Sequence, residues 1–385
     1  MSVTAAGGFR AAGVAAGIKV SGGLDLTLVV NDGPDTTAAG VFTRNQVKAA
    51  PVLWSAQVLT GRRLRAVVLN SGGANACTGP GGFQDTHATA EHVATVLECG
   101  AVEVAVCSTG LIGERLPLDA LRAGIDTAAA ALAATPEAGL AAATAVLTTD
   151  TVPKQAAVTG TGWTVGGFAK GAGMVAPSLA TMLCVLTTDA VIDESTLDAA
   201  LRGATTDTFE RLDIDGTCST NDTVLLLASG ASGVTPRAGE FAAAVAQVCH
   251  ALVKRLQADA EGVTKEIAIT VRGAAHDAEA LVAARAVARD SLVKTAFFGS
   301  DPNWGRIAAA LGASAATVRA DTLDIQINGV LLCQGGAVTA DRSKADLSGR
   351  EITVEVDLHL GAGQATVLTT DLSHAYVDEN SAYSS

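Results

Sequence analysis

The sequence predicts a layered α/β fold, and three observations carry that expectation. Short apolar runs of strand length alternate with stretches of helical period along nearly the whole chain. Of its 385 residues 49% are hydrophobic but only 3% aromatic, so the core must be built from Ala, Val, Leu and Ile, which suits closely packed helices and sheets. The length supports a sizeable core, as two lobes or one large unit, and no low-complexity linker or internal repeat interrupts it.

Taken in order, the apolar runs at 26–30, 40–42 and 66–69 predict strands, each broken off by glycine or polar residues. The third runs into Ser71-Gly-Gly-Ala-Asn75-Ala-Cys-Thr-Gly79, which reads as a loop, and 85–97 has helical period with Asp85 as its cap. A strand over 102–107 leads to Ser108-Thr109-Gly110. Backbone amides just past a strand, joined by a hydroxyl, can stabilise an oxyanion. The alanine-rich stretch 118–146 predicts two helices broken near Thr135-Pro136, ahead of Thr148-Thr149-Asp150. Strands follow at 155–158, 163–168 and 182–186, then a helix over 194–212.

Asp213, Asp215 and Asp222 share a polar loop whose spacing departs from a calcium-binding hand and lacks the bidentate Glu; it reads as a hydrogen-bonded structural loop. Further on come a strand at 224–227, a helix over 241–256 with Gly262 as its cap, a strand at 267–271 and a helix over 277–293. The segment Asp301-Pro-Asn-Trp-Gly-Arg306 either holds a carboxylate or braces a turn. Three strands, 323–327, 352–358 and 365–369, precede a tail over 371–385 that by position alone is frayed.

Composition narrows the function. A net charge of −13 argues against nucleic acid and against an anionic membrane face, leaving a small-molecule partner. No uninterrupted apolar run of membrane-spanning length is present, and the N-terminus lacks the basic-then-apolar order of a signal peptide, which predicts a cytoplasmic protein. Seven scattered cysteines read as reduced core residues, and the six histidines form no ligand cluster, so neither a metal nor a cofactor is expected.

The stretch from Lys170 to Ala190 is where chemistry is expected. Gly171, Gly173 and Pro177 punctuate a loop that passes through Ala180-Thr181 into the apolar run 182–186. A hydroxyl at such a junction has an ordinary use, a bond to nearby backbone. It also has a chemical one. Thr181 attacking the carbonyl of Ala180 shifts the acyl group from nitrogen to oxygen, and water then releases an N-terminal threonine. Its α-amine, with a reference pKa of about 7.7 to 8, serves as general base near neutral pH. A phosphate-binding loop does not fit, because Lys170 precedes Gly171 instead of following the last glycine.

Lys170-Gly-Ala-Gly-Met-x-x-Pro-x-x-Ala180-Thr181-Met-Leu resembles the self-cleavage segment of the ornithine acetyltransferase (glutamate N-acetyltransferase) family. Further similar segments lie in order: Asn70-Ser-Gly-Gly-Ala-Asn-Ala-Cys-Thr-Gly79, Ser108-Thr-Gly-Leu-Ile-Gly113, Glu261-Gly-Val-Thr-Lys265, Asp301 to Arg306, and a terminal Asn-x-x-Tyr-x-Ser pattern from Asn380 to Ser385. The resemblance implies a sandwich of sheets covered by helices, akin to but topologically distinct from N-terminal-nucleophile hydrolases. It implies cleavage into chains 1–180 and 181–385 and a heterotetramer of two of each. The implied reaction moves acetyl from N2-acetylornithine to glutamate through acetyl-Thr181, with Thr109 and Gly110 as oxyanion hole. Thr148, Lys170, Thr181, Glu261, Asn380 and Ser385 are implied substrate contacts, Lys170 suiting the α-carboxylate and Glu261 the cationic end. Some relatives also take acetyl-CoA, and no residue here decides that.

Two rival readings differ in class. An aminopeptidase or amidase with the same self-processing threonine would release the acyl group to water. A non-enzymatic metabolite-binding protein would keep Thr181 structural and the chain whole.

Overall fold

Runs that are apolar on both faces pair into buried sheets, and the first two-thirds of the chain shows this most clearly. The computed structural model describes residues 2–176 and 182–382. It forms two compact units, one of Met1–Glu210 with Thr217–Leu256, the other of Arg211–Gly216 with Gln257–Ser384.

The first unit contains β1 (Phe9–Val14), β2 (Leu26–Asn31), β3 (Ala38–Phe42), β4 (Ala66–Gly73), β5 (Val104–Leu111), β6 (Lys154–Thr159), β7 (Thr164–Lys170), β8 (Leu183–Thr188) and β9 (Thr223–Ala228). They make a sheet of order β1-β2-β4-β5 and a second of order β3-β9-β8-β7-β6. Every residue of β2, β8 and β9 is buried, which is why these strands read as unbroken apolar runs. Phe9, Leu28, Val67 and Val106 of one sheet share a core with Phe168, Val185 and Leu225 of the other.

Helices α1 (Ala50–Val58), α2 (Gly79–Leu97), α3 (Leu118–Ala130), α4 (Pro136–Ala145) and α5 (Glu194–Asp207) cover these sheets, and α6 (Ala238–Ala258) runs on into the second unit's sequence. Trp54 and Ser55 pin α1 to β5, donating to the carbonyls of Val104 (3.0 Å) and Val106 (2.7 Å). The layered α/β arrangement matches the expected class.

The second unit holds β10 (Glu266–Ala274), β11 (Asp324–Ile327), β12 (Val330–Gln334), β13 (Ala337–Val338), β14 (Glu351–Asp357) and β15 (Gly363–Thr370), in one sheet of order β13-β12-β11-β14-β10-β15. Its helices are α7 (Asp277–Arg289), α8 (Ser291–Phe298), α9 (Trp304–Gly312) and α10 (His374–Ala382). Strict alternation of exposed and buried residues in β14 shows a sheet with one face on the core and one toward water.

Several boundaries differ from expectation. β5 continues through Leu111, so Ser108, Thr109 and Gly110 lie in the strand instead of past it, paired with β4. The helix expected over 85–97 starts at Gly79, where Pro80 supplies the N-terminal signal; Asp85 sits inside it and accepts both Arg115 Nε (2.7 Å) and Nη2 (2.6 Å). The helix expected over 277–293 breaks at Asp290, whose carboxylate caps α8 through the Val293 amide. Gly262 lies beyond the end of α6 and does not cap it.

The tail is not frayed over its described part: α10 occupies it. Cys107, Cys184, Cys249 and Cys333 are buried thiols as expected, but Cys99 and Cys218 are half-buried and Cys77, at a positive φ of 58°, is exposed. Among the described residues no helix is long and apolar enough to cross a membrane, and no group of His, Cys, Asp and Glu could hold a metal ion.

Candidate active site

Lys170 ends β7 with its side chain inside the protein, 1% exposed. An ammonium buried this deeply needs acceptors. It donates to Thr109 Oγ1 at 3.1 Å and to Thr148 Oγ1 at 2.9 Å, which draws together three residues from β5, the loop after α4 and β7. Lysine has donors only, so both hydroxyls must accept from it, and each is left with its own O–H to give elsewhere. In this way a cation orients a hydroxyl as a donor.

The charge on Lys170 is balanced by Asp150, which the sequence alone does not single out as a site residue. Asp150 accepts from Lys154 Nζ (2.5 Å) and from the amides of Gly171 (2.6 Å) and Thr148 (3.2 Å), and both side chains of its pair with Lys154 are fully buried. Burial opposes its ionisation, but Lys170, Lys154 and the Gly171 amide together outweigh that and hold its carboxyl below the usual carboxylate range. The signal that could have found Asp150 is the Thr-Thr-Asp run itself, with two lysines nearby.

Gly110 follows Thr109 with φ of +129°. A Cβ there would lie 2.5 Å from Gly73 N and 2.6 Å from Gly72 C, so only glycine lets β4 and β5 approach this closely. Two residues after Thr181 comes Leu183, the register partner of Lys170 across the β7–β8 pair. Ala180 and Thr181 themselves, and Ser385, lie outside the described residues. What is described inside the first unit is therefore an oriented hydroxyl, the buried cation that holds it, and next in the chain a glycine that no other residue can replace.

In the second unit Glu261 and Asn380, 119 positions apart, meet directly: Asn380 Nδ2 donates to Glu261 Oε2 at 2.9 Å. Helix α10 is tied down to make this possible. Ser373 Oγ donates to the Gly262 carbonyl (2.5 Å) and accepts the Tyr376 amide (3.1 Å). Gly262 has φ of +60°, and a Cβ there would stand 2.1 Å from Tyr376 N. Burial, then Asp215 and Glu261, pushes the Tyr376 phenol up to about 12, so it stays a neutral donor.

Other motif residues prove structural. Lys265 donates to the carbonyls of Leu347, Ser348 and Gly349. In the segment from Asp301 to Arg306, Asn303 caps α9, its amide donates to Asp301 (2.9 Å), and Arg306 donates to the Leu292 carbonyl (2.6 Å). That segment braces a turn. Of the three aspartates in the polar loop, Asp213 pairs with Arg289 at 2.7 Å and Asp222 belongs to the other unit.

Comparison with known proteins adds sequence evidence. A family model described as "ArgJ family" matches residues 10–385. The arginine biosynthesis bifunctional protein ArgJ of Mycolicibacterium paratuberculosis is 65% identical, over all of this chain and 96% of its own length. The protein of that name from Thermobifida fusca is 58% identical over the full length of both. A crystal structure of ornithine acetyltransferase complexed with ornithine, from Mycobacterium tuberculosis, is 67% identical over 46% of this chain and 95% of the solved chain, with a TM-score of 0.46.

Proposed function

The chain belongs to the ArgJ family, and from that premise we propose how its residues carry out the family's reaction. It is an acyltransferase of arginine biosynthesis that moves acetyl from N2-acetylornithine to glutamate. The proposed route begins with self-cleavage between Ala180 and Thr181, giving an α chain of residues 1–180 and a β chain of 181–385. Thr181 Oγ attacks the acetyl carbonyl while its α-amine takes the hydroxyl proton. The carbonyl oxygen, now an anion, accepts from the Thr109 hydroxyl and the Gly110 amide. When the C–N bond breaks, the proton passes to the leaving nitrogen and ornithine departs. The amine of glutamate then attacks acetyl-Thr181, its proton returns to Thr181 Oγ, and N-acetylglutamate leaves.

The observation that carries this reading is the pair of bonds from Lys170 to Thr109 and Thr148, which turns the Thr109 hydroxyl into a donor beside Gly110. Lys170 and Thr148 are proposed to face the substrate from this cluster, with Glu261, Asn380 and Ser385 as further contacts. The amide of Asn380 on Glu261 supports a carboxylate held ready for an ammonium. Two α and two β chains form the proposed assembly, and free thiols throughout fit a reducing compartment such as the cytoplasm.

The test combines mass and kinetics. Intact mass under denaturing conditions should show two chains, one beginning Thr-Met-Leu. Acetylornithine alone should leave one acetyl group on that chain, and glutamate should discharge it. An uncut chain with full activity would sink the proposal, and acetyl released to water regardless of glutamate would point to an amidase. Running the same assay with acetyl-CoA and glutamate decides whether a second donor is used.

A further inference from the structure

One short loop reaches toward both halves of the chemistry just proposed. In Ser219-Thr220-Asn221-Asp222, ahead of β9, the amide of Asn221 donates to the carbonyls of Ala74 (2.6 Å) and Ser108 (2.8 Å), and Ser108 immediately precedes Thr109. The neighbouring side chain turns the other way. Asp222 Oδ1 accepts the backbone N–H of Met182 at 3.1 Å, and Met182 immediately follows Thr181. Both Asn221 and Asp222 are buried, Asp222 completely.

The loop is itself held rigidly. Thr43 donates its hydroxyl to the Ser219 carbonyl (2.7 Å) and its amide to the Asp222 carbonyl (3.0 Å), Ala49 N donates to the Thr220 carbonyl (3.0 Å), and the Thr220 hydroxyl fixes Asn221 Oδ1 (2.6 Å). On the far side the β8–β9 pairing begins with Thr223 N on the Met182 carbonyl at 3.0 Å. Met182 is thus gripped at both its amide and its carbonyl, the first by a side chain and the second by the start of a ladder.

A carboxyl is a costly way to satisfy one backbone amide in a core. Among the described residues buried Asp222 Oδ2 has no hydrogen-bond partner within 3.5 Å, and burial drives the group well above the usual carboxylate range, against the Met182 amide, Lys170 and Ser219, which favour the anion. What the site uses is an acceptor of fixed length reaching from the residue ahead of β9, Asp222 Oδ1 on the Met182 amide. Residues kept at such cost cluster where geometry matters to function.

We propose that Asn221 and Asp222 form a two-pronged clamp that sets the position of the Thr181 nucleophile against the Thr109–Gly110 oxyanion donors, so that both are positioning residues for acetyl transfer. The inference rests on Thr181 being the nucleophile. It adds a role that neither the self-cleavage segment nor the Ser-Thr-Gly segment contains.

The test uses the full-length protein and its Asp222→Ala, Asn221→Ala and Asp222→Asn variants, with kcat, KM and single-turnover rates measured on cleaved enzyme. Either alanine change should lower kcat about 10- to 100-fold, the scale of a misplacement near 1 Å, with the KM for acetylornithine nearly unchanged. Acetylation by acetylornithine and discharge by glutamate should slow by the same factor, because both steps use the same spacing. Asp222→Asn retains an acceptor of the same length and should recover most of the lost rate.

Alanine variants with the parent's kcat, a loss confined to KM, or an asparagine variant as slow as alanine would each overturn the clamp. If Asp222→Ala does not fold, the asparagine variant decides alone, since a drop beyond about tenfold contradicts an acceptor role. Failure of the underlying reading looks different: the unaltered protein would carry no acetyl on Thr181.

Discussion

Replacing Thr109 by alanine tests the oriented hydroxyl directly, and the structure separates its two consequences. The first is catalytic: on the proposed mechanism one oxyanion donor is lost, which costs on the order of 3 to 4 kcal/mol in the transition state, about a hundred- to a thousandfold in kcat. The second is structural. Lys170 loses the acceptor it holds at 3.1 Å and retains Thr148 at 2.9 Å, so one N–H of a buried ammonium goes unsatisfied, at about 1 to 3 kcal/mol of stability. Thr109→Val keeps the volume but not the hydroxyl and should be as slow as alanine; Thr109→Ser keeps the hydroxyl and should retain most of the rate. Each variant is first confirmed as cleaved by intact mass, so that an unprocessed chain is not read as a slow catalyst. Initial rates over a range of acetylornithine then give kcat and KM separately. If the valine and alanine variants raise KM and leave kcat alone, Thr109 binds the ground state and the oxyanion role is wrong.

Lys170→Met removes the orienting cation and leaves Asp150 with Lys154 and the Gly171 amide; denaturant unfolding should show about 3 to 5 kcal/mol of lost stability, and kcat should fall about a hundredfold. A raised KM for acetylornithine with kcat intact would mean that Lys170 acts as a substrate contact alone. Asp222→Asn carries a pH signature. The folded pKa of Asp222 is raised, so its contribution is most favourable below the unfolded value of about 3.9 and is lost as pH climbs from there toward the folded value. The asparagine variant lacks this loss, and its melting temperature relative to the parent should increase between pH 4 and pH 7.5; a gap that does not change with pH contradicts a carboxyl whose pKa is raised by burial. Gly262→Ala would place a methyl 2.1 Å from Tyr376 N at a φ of +60°, and should release α10, seen as rapid amide exchange over 374–382, with transfer activity falling while cleavage continues.

Much of this protein is decided locally and can be read without a structure. Strand runs such as 224–227 and 267–271 declare themselves by apolar character and alternation, and Thr135-Pro136 marks the break between α3 and α4, because periodicity and turn chemistry depend on near neighbours in the chain. The same holds for the motif segments, whose residue order carries the resemblance to the family. Signals that compete locally decide less: Pro80 begins α2 earlier than Asp85 suggests, and Asp290 divides a helical period that looks continuous.

What only the tertiary structure decides is which side chains share a partner. Thr109, Thr148 and Lys170 meet because the packing of one sheet on the other brings β5, β7 and the loop after α4 to one place, and nothing in the spacing of 39 and 22 residues between them predicts a common ammonium. Asp150 and Asp222 look like ordinary polar-loop residues until burial and their amide partners are seen, one held as an anion by two lysines, the other pushed toward its neutral form. Glu261 finds Asn380 only once Gly262 lets α10 dock against it. Hydrogen-bond partners and dielectric surroundings are properties of the packed core, and a one-dimensional pattern carries neither.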